Sequence, residues 1–230
     1  MITFFIGLGS RLKRISYTNG TTSNRGCTAQ TKMCKEHAHF DKVLNVRIDT
    51  PPCCMHHILT VCENFSKELR KHDVLHSVIY GAVLGFVRNK KMTPYDHDLD
   101  LMVDGKFWRT NLFYKVVKDL DTLYGHKVTY HGTRSKTNIL IHYSSVNDNA
   151  VDVWPFYENT KDNIRMISIP HHNGMRVPYS TMFPAKLVEI SGIKANFPNN
   201  STSYVLKIYG EEAIKNLLTC KTMDGANCLT

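Results

Sequence analysis

The sequence has no long hydrophobic run. None of its 230 residues lie in an uninterrupted apolar stretch of about 18 or more, the length that a membrane-spanning helix requires. The apolar opening from Met1 to Gly9 is followed by charge rather than preceded by it, so we interpret it as at most a remnant of an anchor. The sequence therefore predicts neither a membrane-spanning segment nor a normal signal segment in this chain.

Proline and glycine are also scarce. The chain has 8 Pro and 13 Gly, no internal repeat, and 42% hydrophobic residues. This composition excludes a collagen-like repeat and argues against disorder, because there are enough apolar side chains to bury a sizeable core. We expect one large domain, or a domain with an appendage.

A long basic block is a third absence. The 29 Lys and Arg against 20 Asp and Glu give a formal charge of +9, yet no five like charges are consecutive and no basic stretch is interleaved with aromatic residues. The positive balance suits a phosphate-bearing partner. Without a basic arm, we expect no extended nucleic acid among the partners.

The spacing of apolar residues predicts an α+β fold with one mixed sheet flanked by helices. Before it, residues 1–52 form a loop-rich segment without sustained periodicity. We expect one folded domain over 53–218 and a tail over 219–230. Helical spacing covers 55–72, 83–87, 107–123 and 203–218, and strand-like runs cover 78–80, 98–103, 127–130, 138–143, 150–156 and 165–169.

A cluster of acidic residues is the strongest local signal. Four of the 20 acidic residues fall within nine positions, at Asp96, Asp98, Asp100 and Asp104. If this segment is a strand, Asp98 and Asp100 share one face, because side chains alternate with a period of two. Hard carboxylate oxygens on one face are ligands for Mg²⁺ or Mn²⁺, whose charge offsets their repulsion.

Other interpretations of this cluster fit less well. An EF-hand loop counted from Asp96 would need Gly and Glu where Leu101 and Phe107 stand. The pair of His97 and Asp98 is typical of metal-dependent phosphohydrolases, but further histidine ligands on helices cannot be placed. A solvated acidic loop remains the simple alternative.

A second carboxylate stands alone in an apolar run. Asp152 is the only charge within residues 150–156, and a buried carboxylate without a partner costs several kcal/mol, about 2–7 even for a neutral polar group. We therefore predict Asp152 as the third metal ligand or as a general base. The alternative is an Asp paired with Lys or Arg at a strand end.

Two segments resemble the signature of the LicD and fukutin family. Residues 80–88 read Tyr-Gly-Ala-Val-Leu-Gly-Phe-Val-Arg, and residues 93–101 read Thr-Pro-Tyr-Asp-His-Asp-Leu-Asp-Leu. The Asp152 strand and residues 197–210 resemble later family elements, so the resemblance covers about 53–212. Departures are Tyr95, where Trp is common, and His97, where an acid or an aromatic often stands.

The resemblance implies a nucleotidyltransferase-like fold and a phosphotransferase. Such an enzyme transfers a phospho-alcohol, such as ribitol phosphate or phosphocholine, from a CDP-activated donor to a glycan hydroxyl and releases CMP. Asp98 and Asp100 would then be Mg²⁺ or Mn²⁺ ligands, with Asp96 as an additional ligand or a supporting group. A noncatalytic glycan- or partner-binding member, or a nucleotide transferase that releases pyrophosphate, stays open. The resemblance also favours the Golgi lumen.

Phosphate groups are expected near the segment that precedes the acidic strand. Gly81 opens a turn whose following helix presents N–H groups to phosphate. Arg88 with Lys90 or Lys91 is predicted to hold the pyrophosphate or an acceptor phosphate, although either Lys is equally explained as a solvated surface charge. Gly85 is explained by close helix packing.

The cysteines suggest a second metal. Cys27, Cys34, Cys53 and Cys54 supply four thiols ahead of the acidic segment, a set able to form a tetrahedral Zn²⁺ site. Their layout also resembles the zinc loop of the fukutin-related branch. Disulfides and free thiols remain alternatives. Cys62 is predicted in the core, and N-glycosylation sequons stand at Asn19, Asn64, Asn199 and Asn200.

Overall fold

The computed structural model describes 14–16, 22–24, 52–93, 98–108, 110–131, 138–144, 150–169 and 175–215. In these residues the helices are α1 (Pro52–Lys71), α2 (Tyr80–Asn89), α3 (Asn111–Tyr124), α4 (Tyr179–Met182), α5 (Ser201–Tyr209) and α6 (Glu212–Lys215). The strands are β1 (Arg14–Ser16), β2 (Thr22–Asn24), β3 (His76–Val78), β4 (Leu99–Asp104), β5 (Lys127–His131), β6 (Asn138–His142), β7 (Ala150–Lys161), β8 (Ile164–Ile169), β9 (Met175–Pro178), β10 (Lys186–Ile190) and β11 (Ile193–Phe197). No helix in the described ranges is long and apolar enough to cross a membrane.

Seven strands form the central sheet. Five of them run in the order β3-β4-β7-β6-β5, while β8 pairs with the far half of β7 and β9 pairs with β8. The pairing of β4 with β7 is parallel and the other pairings in this sheet are antiparallel. This arrangement confirms the prediction of an α+β fold with a mixed sheet.

The alternation of residues in β4 and β7 gives the sheet two different faces. Leu99 pairs with Val151 and Leu101 with Val153, and all four side chains are buried. Helix α1 packs against β4, β6 and β7, and α3 packs against β5. The apolar residues of α1 that face this core recur at helical spacing: Ile58, Val61, Cys62, Phe65 and Leu69. The predictions of this helix and of a buried Cys62 are confirmed.

Helix α2 begins directly after β3 and packs against α5. It ends at Lys90, whose left-handed backbone (φ 58°) lets its N–H donate to the Phe86 carbonyl. A Cβ atom on Gly85 would lie 2.5 Å from the Lys91 carbonyl oxygen. The chain that returns from α2 therefore leaves no room for a side chain at this position, which confirms the close-packing interpretation of Gly85.

Three sequence predictions of elements are corrected. Strand β7 continues past the predicted end at Phe156 to Lys161, because its second half pairs with β8. The predicted closing helix over 203–218 is broken at Gly210 (φ 80°), which separates α5 from α6. The small elements α4, β9, β10 and β11 were not predicted. Within the predicted N-terminal segment, β1 and β2 form an antiparallel pair, and the tail over 219–230 lies outside the described residues.

Candidate active site

The parallel ladder brings two of the predicted carboxylates together. Asp100 of β4 is the direct partner of Asp152 of β7, so both side chains lie on the same face of the sheet, opposite to the buried leucines and valines. Asp98 precedes β4 by one residue, is exposed, and is two positions from Asp100. The register therefore puts Asp100 and Asp152 on one face, and Asp98 lies just before the paired residues of β4.

Electrostatics shows that the carboxylates influence one another. Burial and then the negative charge of Asp98 raise the pKa of Asp152 to about 6, against the opposing effects of His131 and Asn138. Asn138 Nδ2 donates a long hydrogen bond of 3.4 Å to Asp152 Oδ1. Among the described residues no Lys or Arg forms an ion pair with Asp152, so the strand-end ion pair considered above is not supported. Such uncompensated negative charge is a suitable environment for a cation.

The start of α2 is attached to the same strand. The Ile79 N–H donates to the Asp100 carbonyl oxygen at 3.0 Å, and the Tyr80 N–H donates to the Tyr204 hydroxyl at 3.0 Å. Tyr80 has a positive φ of 52°, which is uncommon for a residue other than glycine. These contacts hold the first turn of α2, including Gly81, beside Asp100.

The first turn of a helix is a natural place for an anion. Its N–H groups lack carbonyl partners within the helix, and the helix dipole favours negative charge there. Ile79, at the N-cap, makes no side-chain capping hydrogen bond, and the Tyr204 hydroxyl takes over this function for Tyr80. Phosphate bound by the following N–H groups would lie next to the carboxylate face.

The basic residues predicted to bind phosphate lie at the other end of α2. Arg88 Nε donates to the Ala213 carbonyl oxygen at 2.7 Å, which anchors α6. Lys90 Nζ lies 4.1 Å from the centroid of the Phe86 ring, and Lys91 is exposed. Since a helix rises 1.5 Å per residue, about 13 Å separate the two ends of α2. The backbone contact of Ile79 thus attaches the amino end of α2, which includes Gly81, to β4 at Asp100, whereas the three basic residues belong to the other end of the helix.

Several predicted ligands cannot be placed. Asp96, His97, Cys27 and Cys34 lie outside the described residues, and the side chains of Cys53 and Cys54 do as well, although both residues belong to the first turn of α1. The zinc site therefore stays a prediction. Within the described ranges, no group of three or more His, Cys, Asp or Glu side chains is disposed to hold a metal ion.

The donor chemistry nevertheless fits a divalent cation. Oxygen ligands are what Mg²⁺ and Mn²⁺ prefer, and burial together with the charge of Asp98 raises the pKa of Asp152, so a cation bound here would stabilise its carboxylate. Asp100 and Asp152 share a face, Asp98 immediately precedes β4, and Asp96 belongs to the segment that leads into that strand. A metal site here would need Asp96, a bound phosphate or water to complete its coordination.

Sequence reasoning missed Asn138 and His131 as neighbours of Asp152. Both stand on the polar side of their strands, where they are direct partners of each other across β5 and β6. Their alternation with apolar residues is a signal for that face, but no local pattern shows that it faces Asp152. The contact of Tyr204 with Tyr80 joins residues 124 positions apart and has no local signal.

The comparisons with known proteins identify the family. The family model described as LicD/FKTN/FKRP, nucleotidyltransferase domain, matches residues 74–200, which is more than half of the chain. The chain belongs to this family. The matched segment of this LicD-family chain contains Gly81 and the three described carboxylates of the site, whereas the four cysteines of the predicted zinc site precede it.

Two curated relatives are transferases. The human protein named ribitol 5-phosphate transferase FKRP is 23% identical over 220 residues, which are 91% of this chain and 42% of that protein. The mouse protein of the same name is 22% identical over the same share of each chain. This chain therefore spans less than half the length of the relatives it matches.

Proposed function

We propose that this LicD-family chain transfers a phospho-alcohol from a CDP-activated donor to a glycan hydroxyl and releases CMP. The single observation that supports this function best is the pairing of Asp100 with Asp152 beside the first turn of α2. This pair of carboxylates lies near the amino ends of β4 and β7, and the amino end of α2 is attached to β4 at the same point. Ribitol phosphate is our first choice among phospho-alcohols because both relatives are named ribitol 5-phosphate transferases.

The proposed metal is Mg²⁺ or Mn²⁺, held by Asp98 and Asp100, with Asp96 as an additional ligand and with Asp152 as either the third ligand or the general base. When bound, such an ion supplies positive charge that neutralises the phosphates of the donor. The N–H groups of the first turn of α2, from Gly81 onward, bind and orient those phosphates. The basic side chains at the other end of α2, Arg88, Lys90 and Lys91, are proposed for a phosphate of the acceptor rather than for the pyrophosphate bound at Gly81; Arg88 would also retain its contact with α6.

The transfer itself needs a group that accepts one proton. An oxygen of the acceptor hydroxyl forms a bond to the phosphorus of the phospho-alcohol, the bond from that phosphorus to CMP breaks, and CMP leaves with the electron pair. The hydroxyl proton moves to a carboxylate. Asp152 suits this role if it is not a metal ligand, because its pKa of about 6 is closer to neutrality than that of an ordinary Asp.

Two further expectations accompany the proposal. We propose a structural Zn²⁺ at Cys27, Cys34, Cys53 and Cys54, with disulfides or free thiols as the alternatives. We also propose that the protein resides in the secretory pathway, with the Golgi lumen as the compartment expected from the family resemblance; both relatives are named ribitol 5-phosphate transferases.

The test is CMP release from CDP-ribitol, CDP-glycerol and CDP-choline, each with and without Mn²⁺. We expect Asp98→Asn and Asp100→Asn to lower turnover by about 100-fold or more while the circular dichroism spectrum is unchanged. Asp121→Asn is the matched control, because Asp121 is exposed on α3. Undiminished turnover in both site variants would reject the proposed active site.

A noncatalytic glycan- or partner-binding function is the second candidate. The observation in its favour is that the described residues contain no group of three metal-ligating side chains. This function predicts no CMP from any of the three donors and no Mn²⁺ binding at millimolar concentration. Release of pyrophosphate instead of CMP would indicate nucleotide transfer.

A further inference from the structure

Three of the four sequons lie in described residues, and their surroundings differ. Sequons at Asn64, Asn199 and Asn200 have the pattern Asn-x-Ser/Thr, with x other than Pro. We infer that Asn200 is the N-glycosylation site of the folded chain. This inference rests on the secretory location that accompanies the proposed function. It assigns a modification to the amino end of α5, on the helix that carries Tyr204.

Asn64 is enclosed by the fold. Its Nδ2 donates to His126 Nε2 at 3.0 Å, while His126 Nδ1 donates to the Tyr143 carbonyl at 2.8 Å. The hydroxyl of its sequon belongs to Ser66, which is fully buried and hydrogen-bonded to His76. A sugar on Asn64 Nδ2 would have to fit beside His126, which is 1% exposed, so a chain modified there would have to break this contact or repack around it.

Asn199 uses the same atom that glycosylation would modify. Its Nδ2 donates to the Ser180 carbonyl at 3.0 Å, and its backbone N–H donates to the Met182 carbonyl at 3.1 Å. Both contacts direct the side chain toward α4. A sugar at this nitrogen would have to fit between α4 and the start of α5.

Within the described residues, the side chain of Asn200 forms its hydrogen bond through Oδ1 and not through Nδ2. The residue is exposed, and its Oδ1 accepts from the Ser203 N–H at 3.0 Å as the N-cap of α5. Its backbone N–H donates to the Thr181 carbonyl at 3.0 Å, which fixes the turn. The hydroxyl of this sequon belongs to Thr202, which is also exposed.

The chemistry of the modification preserves this cap. The Asn200 Nδ2 forms a bond to C1 of the sugar and loses one proton, while the bond from C1 to the pyrophosphate of a lipid-linked oligosaccharide donor breaks. The pyrophosphate leaves with the electron pair. Oδ1 is unchanged and can still accept from the Ser203 N–H, so the N-cap is retained.

The overlapping sequons allow a test that leaves both asparagines intact. We use the full chain, directed into the secretory pathway of a eukaryotic host by an added leader, with Asn19→Gln throughout because Asn19 lies outside the described residues. Thr202→Ala destroys the Asn200 sequon only, and Ser201→Ala destroys the Asn199 sequon only. We expect the mobility shift on amidase deglycosylation to vanish in Thr202→Ala and to persist in Ser201→Ala.

Peptide mass spectrometry after deglycosylation in heavy-oxygen water locates the modified Asn directly. Isotope incorporation at Asn200, with none at Asn64, is the expected result in folded, secreted protein. A glycan that persists in Thr202→Ala, a glycan at Asn64 in folded protein, or no glycan in the Asn19→Gln parent would each overturn the inference. CMP release is also measured with the chain produced in a host that does not N-glycosylate proteins. This measurement tests the proposed transfer separately, so a failure of the glycosylation inference can be distinguished from a failure of the proposed function.

Discussion

Replacement of Tyr204 by Phe tests how the start of α2 is held beside the carboxylates. The substitution removes one oxygen and keeps the ring, so the core retains its packing. That oxygen accepts from the Tyr80 N–H at 3.0 Å and donates to Met175 Sδ at 3.7 Å. Tyr80 is 2% exposed, so water cannot easily replace the lost acceptor.

The magnitude follows from that burial. A neutral hydrogen bond contributes about 1 kcal/mol net, and a buried donor left without a partner costs about 1–3 kcal/mol. The contact with Met175 adds little, because a thioether is a weak acceptor. We therefore expect Tyr204→Phe to lower the free energy of unfolding by about 1–3 kcal/mol. We also expect a higher KM for the CDP donor, because the positive-φ turn at Tyr80 would relax and shift the N–H groups that follow it.

Urea unfolding measures the stability, and hydrogen exchange of the Tyr80 amide measures the local contact. Tyr124→Phe is the matched control: its hydroxyl donates to Glu68 Oε1 at 2.6 Å, within the contact between α1 and α3. We expect the control to lose stability while the donor KM and the Tyr80 amide protection stay unchanged. If Tyr204→Phe leaves both the stability and the Tyr80 protection at their original values, the reasoning about this cap is refuted.

Two further predictions concern stability alone. Gly85→Ala should cost about 1–3 kcal/mol in urea unfolding, because its Cβ would lie 2.5 Å from the Lys91 carbonyl oxygen. A Cβ on Gly125 would meet no atom within 4 Å, but the backbone φ there is 70°. Gly125→Ala should therefore cost less than Gly85→Ala, about 1 kcal/mol, and the difference between the two variants distinguishes backbone strain from steric overlap. Burial lowers the pKa of His76 to about 4 from 6.5, so the folded state favours the neutral ring. The contribution of neutral His76 to the free energy of unfolding is therefore fully present above pH 6.5. It should fall by roughly 3 kcal/mol as the pH drops through 4. His76→Asn should flatten this decline in the urea midpoint, and an unchanged decline would contradict the assignment.

The sequence predicts the faces of the strands better than their order in the sheet. The alternation around Asp98 and Asp100 is local, so the separation of acidic and apolar faces could be predicted from the sequence and is observed. Several apolar strands could pair with β4, and the periodicity of the sequence does not show that β7 is the one that does. The isolation of Asp152 in an apolar run associated it with the first acidic strand, and the family resemblance agreed with that prediction.

The missed strands β10 and β11 had a signal in the sequence. Ser191 and Gly192 join them with φ values of 49° and 86°, the positive pair that a two-residue hairpin of type I′ requires. The same is true of Asp162 and Asn163 between β7 and β8. These dipeptides, between short strands, mark hairpins by their tolerance of positive φ. Periodicity alone does not predict β10 and β11; the turn residues between them do.

The remaining part of the site depends on contacts that only the complete fold creates. The pKa of Asp152 is raised because the fold buries it and because Asp98 lies near it. The apolar run over 150–156 predicts the burial, but nothing within that run shows the proximity of Asp98. If β7 shifted by one residue against β4, Val151 would take the place of Asp152 on the carboxylate face and the charge would enter the core. The cost of burying an unpaired carboxylate therefore opposes the shifted register. The same side chain that we propose for catalysis thus also helps to fix the alignment that puts it opposite Asp100.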